Sequence, residues 1–239
     1  MYFLTFDVDW APEYVLDYVL NILDERELRG VFFSTHPSPR LREASSRHEI
    51  AIHPNFHPSS TQGDSAMEIV RRLMEEHHGA AGVRSHGLYW HGGLVALYKS
   101  FGLQYDSSLL LPYVPHLQPF RHNGLLRLPI WWNDGLHAAE GRAYDIRVLD
   151  LESPGLKIFE FHPIHIFLNS SGRGEWERLK SALEQGTLLQ EAPENWLQTY
   201  VNPREGIGDF FERLCDWLVQ RGKSKLTLSD WVKNHETAA

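Results

Sequence analysis

Tyr2-Phe3-Leu4-Thr5-Phe6-Asp7-Val8-Asp9-Trp10 is the stretch that decides the fold, because it ends an apolar segment with two carboxylates. The segment before Asp7 is aromatic, aliphatic and β-branched, which is typical of a buried strand. Side chains alternate across a strand, so Asp7 and Asp9 point the same way while Val8 packs inward. Two like charges beside a core are costly unless a cation or a shared proton compensates them. The pair therefore indicates either a metal site with one carboxylate to spare, or a strand that simply ends in a polar loop.

The length and composition of the chain are typical of a folded, acidic globular protein. It has 239 residues, a hydrophobic fraction of 42% and a net charge of −8, which suit an α/β barrel with a sizeable core and give no basic surface for nucleic acid. The single cysteine, Cys215, excludes an intrachain disulfide framework and fits a reducing compartment. We see no leader before the first strand and no apolar run near the roughly 18 residues that span a bilayer, so we expect a cytoplasmic protein.

Helix and strand patterns alternate through the first half of the chain. An apolar stripe from Tyr14 to Arg29 predicts a helix closed by Gly30, and alternation of this kind indicates βαβ units around a parallel sheet. We find no linker or repeat and expect one domain over residues 1–239. The further predicted strands are 31–33, 49–52, 81–84, 104–105, 126–130 and 156–161.

Every candidate polar residue lies at the end of one of these strands or just after it. Active sites of parallel α/β folds lie at the carboxyl ends of their strands, so this shared position carries more weight than any single motif. The candidates are Asp7, Asp9, His53, Arg84, Asp106 and His162.

Two histidines four residues apart follow the third strand. At this spacing His53 and His57 can present two imidazoles to one metal, and Pro58 restricts them to one tight turn. With a carboxylate from Asp7 or Asp9 they form an open two-His, one-carboxylate set, which is typical of catalytic metals and suits Zn, Co, Ni or Fe. The alternative is a chance pair, since the chain contains 14 histidines.

The other strand-end residues each allow two interpretations. His162 could be a general acid that faces a metal-bound water, with His165 as its alternative, or it could be a core histidine. Arg84 could hold a catalytic carboxylate by a bidentate contact, or could be a surface arginine. Asp106 could orient a neighbouring group or cap a turn.

Trp131 and Trp132 form an aromatic pair just before Asp134. Aromatic faces suit the apolar faces of pyranose rings, so the pair could be a wall for sugar stacking. Core packing is the alternative, and it is the more common position of a tryptophan.

Taken in order, these segments resemble the NodB-homology polysaccharide deacetylases (carbohydrate esterase family 4). That resemblance implies a single distorted (β/α)7 barrel with the active site at the C-terminal ends of the strands. It extends from residue 3 to about residue 165 and rests on five segments. They are Thr5-Phe6-Asp7-Val8-Asp9, His48-Glu49-Ile50-Ala51-Ile52-His53 with His57-Pro58, Val83-Arg84, Tyr105-Asp106-Ser107-Ser108, and Phe161-His162-Pro163.

The resemblance also implies roles for these residues. One divalent ion, with zinc as the first choice, would be bound by Asp9, His53 and His57. The implied catalytic residues are Asp7 as general base, Arg84 beside it, Asp106 from the fourth segment, and His162 as general acid.

Three positions depart from the family pattern. His86 stands where a proline is usual, Ser107 follows Asp106 where a tryptophan is usual, and Phe159 replaces a leucine. These departures concern the substrate pocket more than the metal site. The segments most resemble a subgroup linked to O-antigen and surface-polysaccharide assembly.

We therefore expect a metal-dependent N-deacetylase that acts on an N-acetylated sugar carried by a nucleotide or a lipid. Two alternatives belong to other functional classes. One is a metal-dependent hydrolase of a non-sugar amide on the same barrel, and the other is a non-catalytic carbohydrate-binding relative.

Overall fold

Strands and helices alternate along most of the chain, of which the computed structural model describes residues 1–183 and 188–236. The strands are β1 (Tyr2–Asp7), β2 (Gly30–Ser34), β3 (Glu49–Ile52), β4 (Gly82–Val83), β5 (Tyr105–Asp106), β6 (Phe120–His122), β7 (Leu125–Arg127), β8 (Trp132–Asn133) and β9 (Lys157–Phe161). The α-helices are α1 (Glu13–Glu25), α2 (Pro39–Ala44), α3 (Ala66–Glu76), α4 (Gly92–Ser100), α5 (Asp134–Ala139), α6 (Pro163–Phe167), α7 (Arg173–Leu183), α8 (Glu194–Leu197), α9 (Ile207–Gln220) and α10 (Leu228–Glu236). No helix within these two described ranges has both the length and the apolar character that a bilayer span requires.

The nine strands form one sheet in the order β6-β7-β5-β4-β3-β2-β1-β9-β8. All neighbouring strands in it are parallel except β6 and β7. The predicted α/β class with a parallel sheet is confirmed, and the sheet has two more strands than the seven expected. One of the extra strands is β6, which pairs with β7 through Asn123-Gly124, where both residues have positive φ. An Asn-Gly turn of this kind is a strong hairpin signal, because both residues tolerate the positive φ that a tight two-residue loop requires.

The sheet is strongly curled, so that the ends of distant strands meet. In a flat sheet β1 and β4 would lie about 14 Å apart, because two other strands separate them. Yet Nη1 of Arg84, the residue after β4, lies 2.7 Å from Oδ1 of Asp7 at the end of β1. The curl therefore gathers the carboxyl ends of the strands around one concave region.

The apolar stripe of α1 packs into the main core, as its sequence predicts. The helix ends at Glu25, four residues before the predicted end, and Glu27 then adopts a left-handed φ of 52°. Gly30 belongs to β2 instead of closing the helix. A Cβ atom there would lie 2.8 Å from a ring carbon of Phe6, so the close approach of α1 and β1 excludes a side chain.

Trp131 and Trp132 are core residues, with exposed fractions of 1% and 0%. The ring of Trp132 stacks on Phe210 of α9 at a centroid distance of 4.9 Å and an interplanar angle of 10°. The interpretation of this pair as a sugar-stacking wall is therefore wrong, because neither ring is open to a ligand. The alternative of core packing is confirmed.

Candidate active site

The chain turns sharply after β1, where Asp9 and Trp10 have left-handed φ values of 44° and 56°. Such a backbone is costly for residues other than glycine and persists only where neighbours fix it. Here the amide of Val8 donates to the carbonyl of Phe33, and the amide of Trp10 donates to Oγ1 of Thr35. The turn leaves Asp7 almost fully buried, whereas the side chain of Asp9 is 21% exposed.

Asp7 is held by Arg84, whose side chain is fully buried. Nη1 of Arg84 donates to Oδ1 of Asp7 at 2.7 Å, while Nε and Nη2 donate to the carbonyl and hydroxyl oxygens of Ser107. The guanidinium also lies over the ring of Phe33, 4.2 Å from its centroid. The contact with Asp7 is thus made by one nitrogen instead of the bidentate pair that we expected. This arrangement fixes Oδ1 of Asp7 and leaves its second oxygen directed towards His53, 3.7 Å from Nε2.

Asp9 meets two imidazoles. Its Oδ1 lies 3.2 Å from Nε2 of His53 and 2.9 Å from Nδ1 of His86. Burial by itself would raise the pKa of Asp9, but the neighbouring imidazoles of His53, His86 and His162 outweigh it and hold this pKa well below its usual range. A potential ligand atom of each of Asp9, His53 and His86 lies within 4.8 Å of the other two, which makes this group able to hold a metal ion.

His53 has the tautomer that a metal ligand needs. Its Nδ1 lies 2.7 Å from the carbonyl oxygen of Arg84, and because a carbonyl only accepts, Nδ1 must carry the hydrogen. The lone pair of the neutral ring is then on Nε2, which is buried and makes no hydrogen bond within the described part of the chain. A lone pair that faces the Asp9 carboxylate is unfavourable unless a cation lies between them, so this site fits a divalent metal.

His57 is not brought to this group. Its side chain is exposed, and its Nδ1 lies 2.8 Å from the hydroxyl of Ser59 and accepts from the amide of the same residue at 3.3 Å. The segment after His53 is a turn and not a helix, as Pro58 predicts, so the spacing of four residues does not place both imidazoles on one face. The sequence marks His86 only as a departure from the family pattern and not as a ligand, although it lies two residues after Arg84 at another strand end.

His162 approaches Asp9 from the opposite side and is oriented by Asp134. Nδ1 of His162 lies 2.8 Å from Oδ1 of Asp134, and its backbone amide donates to Oδ2 at 2.7 Å. Nε2 then points to Oδ2 of Asp9 at 3.5 Å. Burial lowers the pKa of His162, but the charge of the buried Asp134 and its hydrogen bond reverse this and raise that pKa well above its usual value. The buried Asp134 carboxylate therefore favours the protonated form of His162.

Asp134 is the orienting residue that the sequence analysis did not assign. It is the first residue of α5 and directly follows β8, so it shares the strand-end position of the other candidates. The sequence marks it only by its place two residues after Trp132. Its burial and its two contacts with His162 are properties of the folded chain.

Two other candidates have contacts away from Asp7 and Asp9. Oδ1 of Asp106 accepts from the amide and hydroxyl of Ser108, and its Oδ2 lies 2.8 Å from Nε of Arg127 on β7, so it ties neighbouring strands together. Nδ1 of His165 lies 3.1 Å from the hydroxyl of Ser170. Of the two histidines considered as the acid, His162 is the one that faces Asp9.

Glu160, within β9, adds a buried carboxyl to the site. It groups with Asp7 and His162, with potential ligand atoms of all three within 4.8 Å of one another, and its Oε2 is buried and makes no hydrogen bond within the described residues. Burial and the charge of Asp7 raise the pKa of Glu160 to about 8. Nothing in the sequence pattern singles out Glu160, because it lies inside an apolar strand.

Comparisons with known proteins identify a family of polysaccharide deacetylases. A family model described as WbmS-like polysaccharide deacetylase matches residues 4–180. The structure of WbmS from Bordetella bronchiseptica, assigned as a polysaccharide deacetylase involved in O-antigen biosynthesis, is 26% identical over 90% of each chain, with a TM-score of 0.79.

A more distant likeness concerns the fold alone. The Bc1960 peptidoglycan N-acetylglucosamine deacetylase is 15% identical, with a TM-score of 0.51 over 95% of this chain and 85% of the other. No curated protein sequence matches the chain. Because the family model covers most of its length, the chain belongs to the WbmS-like polysaccharide deacetylase family.

Proposed function

We propose that this chain is a metal-dependent N-deacetylase that removes the acetyl group from an N-acetylated sugar during assembly of a surface polysaccharide of the O-antigen type. The observation that carries the proposal is the convergence of a held carboxylate and a protonated imidazole on one metal-binding group. Oδ2 of Asp7 lies 3.7 Å from Nε2 of His53, and Nε2 of His162 lies 3.5 Å from Oδ2 of Asp9. The similarity to WbmS, which is assigned to O-antigen biosynthesis, supports the class of substrate.

The cation would be held by Asp9 and His53 together with a second histidine. The buried lone pair on Nε2 of His53 and the carboxylate of Asp9 are donors that suit a catalytic zinc ion or a related divalent metal. When bound, such an ion supplies a Lewis acid for the acetyl carbonyl and makes water easier to deprotonate.

Asp7 is the proposed general base. Arg84 donates a hydrogen bond to its Oδ1 and fixes the orientation of the carboxylate. The other oxygen, on the side of His53, then accepts the proton that the attacking water loses.

His162 is the proposed general acid. Asp134 accepts from its Nδ1, which leaves the proton on Nε2 facing the site. When the bond between the acetyl carbon and the amide nitrogen breaks, His162 donates this proton to the nitrogen. The products are acetate and the free amino sugar, and the proton taken up by Asp7 replaces the one that His162 loses.

Acetate release tests the proposal directly. We expect activity on N-acetylated nucleotide sugars or lipid-linked oligosaccharides that is lost when the metal is removed by a chelator and restored by a divalent ion. Asp7→Asn should keep the metal and lose turnover, because the amide cannot accept the proton. Substantial activity of this variant, activity that persists without metal, or turnover only of non-sugar amides would each contradict the proposal.

A further inference from the structure

We propose that His86, and not His57, is the third protein ligand of the cation, so that the ligand set is Asp9, His53 and His86. The proposal rests on the metal dependence proposed above and concerns which residues of this chain bind the metal. His86, which follows β4, would then take the ligand position that the resemblance to the NodB-homology family assigns to His57, which follows β3.

The distances between the ligand atoms fit a common ion. Donor atoms about 2.1 Å from a tetrahedral zinc ion lie about 3.4 Å from each other. In the structure Oδ1 of Asp9 lies 3.2 Å from Nε2 of His53 and 2.9 Å from Nδ1 of His86. The two imidazole rings are perpendicular, with centroids 5.4 Å apart, so their nitrogens can approach one point without stacking.

His86 is held in this position by its backbone and its neighbours. Its amide donates to the carbonyl of Pro54 at 2.9 Å, which ties the loop after β4 to the loop that follows His53. The short turn that begins at His86 is closed by two left-handed residues, Gly87 and Leu88. The ring of Trp10 packs edge-on against the imidazole, with centroids 5.6 Å apart. A ligand fixed in this way needs little reorganisation to bind.

His57 lacks these constraints. It belongs to neither group of ligand atoms that the described residues bring within 4.8 Å of one another. Its Nδ1 accepts from Ser59, and its side chain is exposed to solvent. The difference from the NodB-homology pattern at residue 86 therefore has a chemical consequence, because proline has no donor atom for a metal, whereas histidine has one.

If His86 has only a structural role, its removal should weaken metal binding less than the removal of a direct ligand. If His86 only donates a hydrogen bond to Asp9, it orients a ligand from outside, and loss of such a partner weakens metal binding by about 10–100-fold. Loss of a direct ligand should weaken it by more. Affinity for the metal, measured without any substrate, therefore separates the two roles.

The experiment compares the full chain with His86→Ala, His57→Ala and His53→Ala. Each protein is stripped of metal and titrated with Zn²⁺ against a chromophoric chelator, and bound metal is then counted by mass spectrometry. We expect His86→Ala and His53→Ala to bind Zn²⁺ more than about 100-fold more weakly than the wild type. The matched control His57→Ala should stay within about twofold of the wild type, because its imidazole lies outside the group. Circular dichroism melts of the metal-free proteins, with His86→Gln as a second variant, test whether folding is unchanged.

Three results would overturn the assignment. His86→Ala could lose about 100-fold or less, His57→Ala could lose as much as His86→Ala, or Co²⁺ bound to His86→Ala could give the visible spectrum of the wild type. In each case the wild type still binds metal, so the proposed function stands and the ligand set alone fails. A wild type that binds no divalent ion would overturn both.

Discussion

The buried carboxyl of Glu160 gives the sharpest test of the electrostatics of the site. Its side chain is 3% exposed, and its pKa of about 8 compares with an ordinary value of 4.5. Burial is the main cause, and the charge of Asp7 adds to it. We expect Glu160→Gln to make the metal-free protein relatively more stable as the pH rises, because glutamine keeps the shape and the neutral state of the protonated acid.

The size of the effect follows from linkage. Below pH 4.5 Glu160 is protonated in both the folded and the unfolded chain, so the favourable contribution of the neutral group is complete there. Above this pH the unfolded chain releases the proton first, and the free energy of unfolding falls until the pH passes the folded pKa of about 8. The full loss is about 5 kcal/mol, of which about 3 kcal/mol falls between about pH 5.5 and about pH 8.

Urea denaturation of the wild type and of Glu160→Gln, in the presence of a chelator, measures this difference. We expect the wild type to lose about 3 kcal/mol relative to the variant between these two pH values. Glu75→Gln, the same change at an exposed position of α3, is the matched control and should alter stability by less than about 0.5 kcal/mol at either pH. A stability difference between wild type and Glu160→Gln that stays constant with pH would refute the reasoning.

Three further predictions concern the neighbours of the site. Asp134→Asn should lower kcat by about 100-fold or more and move the alkaline limb of the pH–rate profile to lower pH, because His162 loses the charge that raises its pKa, while metal content stays unchanged. Arg84→Lys should reduce the free energy of unfolding in urea by about 2–4 kcal/mol and slow acetate release, because a point charge cannot satisfy Asp7 and both oxygens of Ser107. Trp132→Ala should cost about 3–5 kcal/mol in the same denaturation assay but keep the metal, since its ring packs in the core; loss of metal with little loss of stability would contradict this.

Much of the fold could be predicted from local patterns. The apolar run before Asp7 and the stripe of α1 identify a buried strand and a helix, because their periodicity is a property of each segment alone. The short strands β6 and β8 were missed, since two or three residues carry no periodicity. The end of α1 was misplaced because Gly30 serves close packing in β2 and not helix termination.

The residues of the candidate site could also be predicted only in part from the sequence. A strand-end position is visible in the sequence, and it singled out Asp7, Asp9, His53 and His162. It could not show that Glu160 is buried beside Asp7, because a charged residue within an apolar strand has no distinct pattern.

The sequence by itself determined the class of fold and the supply of carboxylates and imidazoles at the ends of parallel strands. Only the tertiary structure decided which of them meet. His86 reaches Asp9 and His57 does not, Asp134 orients His162, and the tryptophan pair fills the core. The physical reason is that a motif fixes neighbours over a few residues, whereas the curl of the sheet and the turn at Pro58 set distances between residues that are far apart along the chain.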